Sequence, residues 1–280
     1  MSEFRIRYVH FLPILVVILI STALAAILQY AYQVPPTTVT PFPESGSGPI
    51  LNGIYFVASM GIAATGIYLL MRRGLKNTLK AVMIAVYALV SFSLANLYLP
   101  VLLFLIGILD AFFMQPVLLG GTLILAIAAV YLVFFHKGKA QTATVLFFGS
   151  ALGAVLGFAV PTTSAIVILS MLAAYDVFAV FKGPVGKLIK DREGKGIEGL
   201  TIVIGELEIG LGDFVFYSML AAHVFLFLGL VQFLTALIGV LFGAYLTFLG
   251  LARHRMLPGL PFSLALGMVL AFGTNYLLGI

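Results

Sequence analysis

Two carboxylates sit where a carboxylate is expensive. Asp176 lies in the stretch MLAAYDVFAV and Asp213 in GLGDFVFYSML. Both stretches are otherwise fit for the middle of a bilayer, where an ionisable group costs a few kcal/mol on insertion scales and more if it is charged and unpaired. Two such groups have three uses. As a close pair they share a proton and titrate together. The charged member can then activate water as a general base while the protonated one donates to a carbonyl oxygen, the division of labour of aspartic proteases. The same pair could be a proton relay or cation site in a transporter, or a hydrogen-bonded packing contact between helices. The residue types alone leave all three open.

The elements that carry them follow from composition. The 280 residues are 62% hydrophobic and 9% charged, against roughly 25% charged in a soluble domain. No water-soluble fold hides that much apolar surface, so an all-α polytopic membrane protein is expected. There is no cysteine, which excludes disulfides, thiol nucleophiles and cysteine metal sites. His10, His136, His223 and His254 are scattered and form no HExxH pair, which speaks against a zinc protease. No Walker-type or dinucleotide-type glycine loop is present, which weakens an ATPase or dehydrogenase reading. The net charge of +5 bears on topology and carries no implication of nucleic acid.

Apolar runs bounded by charges or turn residues predict spans at about 9–30, 50–71, 78–109, 115–135, 141–160, 162–181, 209–228, 230–251 and 259–278. Ala23-Leu24-Ala25 resembles a signal-peptidase site, yet the apolar run continues to Leu28 and predicts a retained helix. The third run contains Pro100 and is long enough for one kinked helix or two short ones. Basic residues decide between them. With nine spans and the N-terminus inside, all fifteen Lys and Arg fall on inside segments: Arg5 and Arg7; Arg72, Arg73, Lys76 and Lys80; Lys137 and Lys139; Lys182, Lys187, Lys190, Arg192 and Lys195; Arg253 and Arg255. Splitting the third run would send nine of them outside, against the positive-inside rule. One long third helix, an inside N-terminus and an outside C-terminus are therefore expected. The chain reads as one membrane domain over 1–280, with a helical scaffold at 1–160 and the chemistry at 161–280.

Two loops stand apart. Residues 31–49, rich in Pro, Thr, Ser and Gly, read as an extended, poorly ordered linker on the outside. Residues 182–208 lie inside. Within them Thr201 to Ile204 is a β-branched run that fits either a short strand or an interfacial piece of the next helix. Gly149, Gly153 and Gly157 recur every four residues, as do Gly239 and Gly243. Both series suit close helix packing.

This topology brings the carboxylates to one depth. Asp176 precedes Lys182 by six residues and Asp213 follows Glu208 by five, which places them about 9 Å and about 7–8 Å from the inner boundary at ~1.5 Å per residue. Water can reach that level. Gly210 and Gly212 clear the space beside Asp213 for another backbone, and Tyr175 offers a hydroxyl beside Asp176. Pro258-Gly259-Leu260-Pro261 opens the last span, where prolines free carbonyls from helical donors and Gly259 exposes backbone to a passing chain. His223, ten residues after Asp213, is about 15 Å away by helix rise and reads as structural. Asp110 reads as a solvated helix end, and Glu206 and Glu208 as boundary markers able to tune the pair.

Tyr175-Asp176 in the sixth span, Gly210-Leu211-Gly212-Asp213 in the seventh and Pro258-Gly259-Leu260 at the start of the ninth together resemble the presenilin and signal peptide peptidase family, the GxGD-type intramembrane aspartyl proteases. Their order, their span numbers and the nine-span count all match that pattern, over essentially the whole chain. One position departs: the family's Pro-Ala-Leu has alanine where this chain has Gly259. That keeps a small residue and puts only the rigidity of the turn in question. The resemblance implies a catalytic dyad of Asp176 and Asp213. It also implies substrate engagement around Tyr175, Gly210, Leu211, Gly212, Pro258, Gly259 and Leu260, with no metal or organic cofactor. Its substrates would be single-span membrane proteins or signal peptides, cut within or near the bilayer, and a homo-oligomer is compatible with it. The inferred orientation is that of presenilins rather than of signal peptide peptidases, which favours substrates with an outside N-terminus. Compact size and plain loops fit an archaeal homologue in the cell membrane. Because a helix buries its scissile carbonyls in its own hydrogen bonds, the substrate must unwind, and Thr201 to Ile204 could pair with it as an added strand.

Overall fold

The bilayer leaves a spanning backbone little choice, since without water every N–H and C=O must be answered within the protein. The apolar runs accordingly become helices. The computed structural model describes residues 6–32, 39–107, 111–183, 198–205, 207–252 and 256–279. After a single 3-10 turn at Tyr8–His10, the helices are α1 (Leu12–Tyr32), α2 (Gly48–Arg72), α3 (Lys76–Leu105), α4 (Ala111–Phe134), α5 (Lys139–Ala159), α6 (Thr162–Phe181), α7 (Leu211–Phe227), α8 (Leu230–Leu251) and α9 (Leu260–Leu278). Eight of these spans are long and apolar enough to cross a membrane, and α7 is a shorter apolar helix. The third run is one helix with Pro100 inside it, as the basic residues require. The protein is a multi-pass membrane protein.

The helix α7 is the centre of the bundle. Every residue from Phe214 to Val224 is buried, as befits a helix that is apolar all round. It has only 17 residues, about 26 Å of rise, because a β-strand delivers the chain directly to its N-terminus. Helices α1, α5, α8 and α9 surround it. The α5 glycines permit the closest approach. A Cβ on Gly153 would lie 2.6 Å from the Val215 carbonyl oxygen, and one on Gly157 2.8 Å from that of Met219. Gly239 and Gly243 do the same for α8 against α9, meeting Leu266 and Phe262 backbone. On the outer flank, α2 packs along α6 and α3 along α4.

Two features depart from the expected loops. Thr201–Ile204 is a strand, β1, and it has a partner, β2 (Leu207–Gly210), in antiparallel register with Ile204 opposite Leu207 and Thr201 opposite Gly210. The turn uses Gly205 at φ +63°. Leu-Glu-Ile-Gly is too short to announce itself, but Leu207 and Ile209 are buried while Glu208 is exposed, the period of a half-buried strand. The base of the hairpin is fastened to the scaffold. Gly199, at φ +81°, fits beneath Tyr87 and Phe134, and the Tyr87 hydroxyl donates to the Gly199 carbonyl.

The second departure concerns the linker at 31–49, whose later part is held in place. Asn52, fully buried, accepts from Phe42 N–H and donates to the Phe42 carbonyl, both at 3.0 Å. Its amide also donates to Ser164 Oγ at 2.9 Å, and Ser164 in turn donates to Glu44. This polar clasp ties residues 42–44 to α2 and α6. Residues 33–38, Asp110, the basic stretch 184–197, Glu206 and Arg253 to Arg255 lie outside the described residues.

Candidate active site

Asp213 owes its position to the strand–helix junction. Gly210 ends β2 and, in extended conformation, caps α7. Leu211 N–H donates to the Leu200 carbonyl at 2.7 Å, closing the hairpin below. Asp213 is then the third residue of the helix, with the Gly210 N–H turned toward its carboxylate. That is one half of a capping box, answering an N–H that a helix start leaves orphaned. Asp176 comes from the last turns of α6.

Pro258-Gly259-Leu260 joins the two. Leu260 N–H donates to Asp176 Oδ2 at 3.0 Å, and the Gly259 N–H beside it points at the same carboxylate. On its other side, the Gly259 α-carbon lies so close to Asp213 that an added Cβ would fall 2.7 Å from Oδ2. One short turn therefore touches both carboxylates, one through its amides and the other through its missing side chain. Gly259 has φ −78° and ψ −38°, which any residue adopts. Space, and not rigidity, sets the need for a small residue here. The Gly259 N–H is turned to Asp176 and its side-chain position to Asp213, where the sequence suggested backbone open to a passing chain.

The remaining predicted residues divide by role. Gly212 opens toward α2, with Met60 Cε 4.0 Å from where its Cβ would stand. The Tyr175 hydroxyl lies against α2, 3.6 Å from a Cβ built on Gly61. Leu211 faces α5, its Cδ1 3.2 Å from a Cβ on Gly149, which makes it a packing residue of the junction. Pro258 and Leu260 are buried, so Leu260 serves the site through its backbone. His223 is remote: its ring bonds the Gly157 carbonyl at 2.9 Å and Thr162 Oγ1 at 3.1 Å, pinning the α5–α6 corner.

Sequence reasoning missed Tyr217. It stands one turn after Asp213, is buried, and donates from its hydroxyl to the Gly259 carbonyl at 2.8 Å. The i, i+4 spacing from Asp213 puts both on one face of α7, and that spacing was the available signal.

Comparison with known proteins covers part of this region. The presenilin family model matches residues 202–279, a segment that holds β2, Asp213, Tyr217 and the Pro-Gly-Leu turn. Over that segment the chain is similar to the presenilins. Presenilin-B of Dictyostelium discoideum is 34% identical over 125 residues, which are 41% of this chain and 26% of that protein. The match thus spans about a quarter of the curated relative. A solved structure of a presenilin family intramembrane aspartate protease superimposes with TM-score 0.65 at 18% identity, covering 95% of this chain and 97% of that one. A second crystal form gives 0.64 at 19% identity. The presenilin-type fold therefore extends over nearly the whole chain. Asp176 lies upstream of the family-model match and enters the site through its hydrogen bond with the turn.

Proposed function

We propose that this protein is an intramembrane aspartyl protease, with Asp176 and Asp213 as its dyad, that hydrolyses peptide bonds of transmembrane-helix substrates. The observation that carries the reading is the single Pro-Gly-Leu turn held against both carboxylates. Packing alone does not require two acidic side chains from different helices to share one turn whose small residue is dictated by a carboxylate.

In this reading a water sits between the carboxylates. The charged member takes one of its protons as the oxygen adds to the scissile carbonyl carbon. The protonated member gives its proton to the carbonyl oxygen, forming a gem-diol. Collapse breaks the C–N bond and returns a proton to the leaving amine. Helices α6, α7 and α9 supply the site, and α1 to α5 support it. With the basic residues inside, the dyad lies near the inner face, and substrates enter with their N-terminus outside.

The hairpin suits an unwound substrate. Leu211 N–H bonds the Leu200 carbonyl, so bonded pairs alternate up the ladder. Ile202 with Ile209 and Ile204 with Leu207 face each other, while Val203, opposite Glu208, turns its N–H and C=O to the open edge of β1. Its side chain is exposed as well. An extended peptide can add there as a third strand.

Purified protein is expected to cut a model single-span substrate, and a mimic of the gem-diol is expected to stop it. Ion flux through reconstituted vesicles with no peptide product would instead establish a transporter using the same aspartates.

A further inference from the structure

A cavity of about 50 Å³ opens against Asp213 from the α8 side. Its polar lining is Glu208, Asp213, Tyr217 and Thr247, and Gly259 closes one wall. Asp176 does not line it, and no residue of α2 or α6 does. It is therefore separate from the flank where Met60 approaches Gly212 and Tyr175 meets Gly61.

Size and chemistry limit the occupant. A water occupies about 30 Å³ of the liquid, whereas a benzene-sized group needs a cavity of roughly 150 Å³. The space fits one or two waters and excludes a bulky substrate side chain. Three side chains are placed to hold them. The Thr247 hydroxyl donates to the Gly243 carbonyl at 3.1 Å and the Tyr217 hydroxyl to the Gly259 carbonyl at 2.8 Å, so each keeps lone pairs for a water's hydrogens, and the Asp213 carboxylate accepts as well. Glu208, exposed on β2, gives the cavity a wettable mouth.

We infer that this cavity stores the hydrolytic water and feeds it to Asp213 from the α8 side, while the peptide occupies the opposite flank. The inference rests on the protease reading above. One water is consumed per bond cut: its oxygen joins the carbonyl carbon, its protons pass through the carboxylates, and the cavity refills without the peptide leaving.

Ala244 lines the cavity on α8, so Ala244→Val fills it and Ala244→Ser leaves it small and polar. For cleavage of a single-span substrate by the purified protein, Ala244→Val is expected to lower kcat about tenfold at unchanged KM, the pattern of a step lost after binding. Ala244→Ser is expected to retain wild-type kcat. Thr247→Val, which removes only the hydroxyl, is expected to lower kcat severalfold with an unchanged melting temperature, and it carries the test if Ala244→Val does not fold. Wild-type kcat in the Val variants, or a loss that appears in KM, overturns the water store. Asp213→Asn separates the two claims. If it abolishes cleavage while the Val variants stay at wild type, the protease stands and only the water store falls.

Discussion

Gly259 and Tyr217 set the geometry of the proposed dyad without being part of it. The glycine leaves room for the Asp213 carboxylate, and the tyrosine holds the glycine's carbonyl. Tyr217→Phe removes the hydroxyl's bond to the Gly259 carbonyl, which as the N-cap carbonyl of α9 still has its intrahelical partner, so the loss is about 1 kcal/mol and the turn that touches both aspartates is loosened. The expected outcome is a lower melting temperature together with a kcat reduced about tenfold at similar KM, read from substrate cleavage by purified protein. Wild-type kcat in this variant would show that the turn holds itself. The aspartates and the Pro-Gly-Leu turn were legible in the sequence because each is out of place in a bilayer span. Tyr217 was harder to pick out, since its i, i+4 spacing from Asp213 gains meaning for one tyrosine among twelve only when its partner across the bundle is known.

The secondary-structure elements show where pattern stops being informative. Spans of about twenty apolar residues are long signals, and the predicted and observed helices agree closely along the chain. The long third helix was recoverable only through charge, because Pro100 argues for a break that the structure does not make. The second strand was hidden for a different reason. Four residues running straight into a helix read as the helix start, and only the pairing with β1 reveals them. Val203→Pro tests the use of that hairpin. Proline there removes an edge N–H and spares the paired residues on either side, so melting should change little while cleavage falls severalfold. Unchanged cleavage would count against strand addition by the substrate.

For the whole molecule, orientation remains the boldest expectation, as it rests on charge distribution alone. The natural absence of cysteine makes it directly measurable. In sealed vesicles of known sidedness, Ser45→Cys is expected to react with an impermeant thiol reagent from the outside and Gly138→Cys only from the inside. The reverse labelling would invert the molecule and reverse the expected substrate polarity.

The account stands or falls on whether the two aspartates act as one hydrolytic unit. The most direct measurement is cleavage of a single-span substrate by purified wild-type, Asp176→Asn and Asp213→Asn proteins, with products identified by mass. The expected result is defined peptide products from the wild type and none above background from either variant, with all three retaining their helical content. Undiminished cleavage by either variant would contradict the dyad.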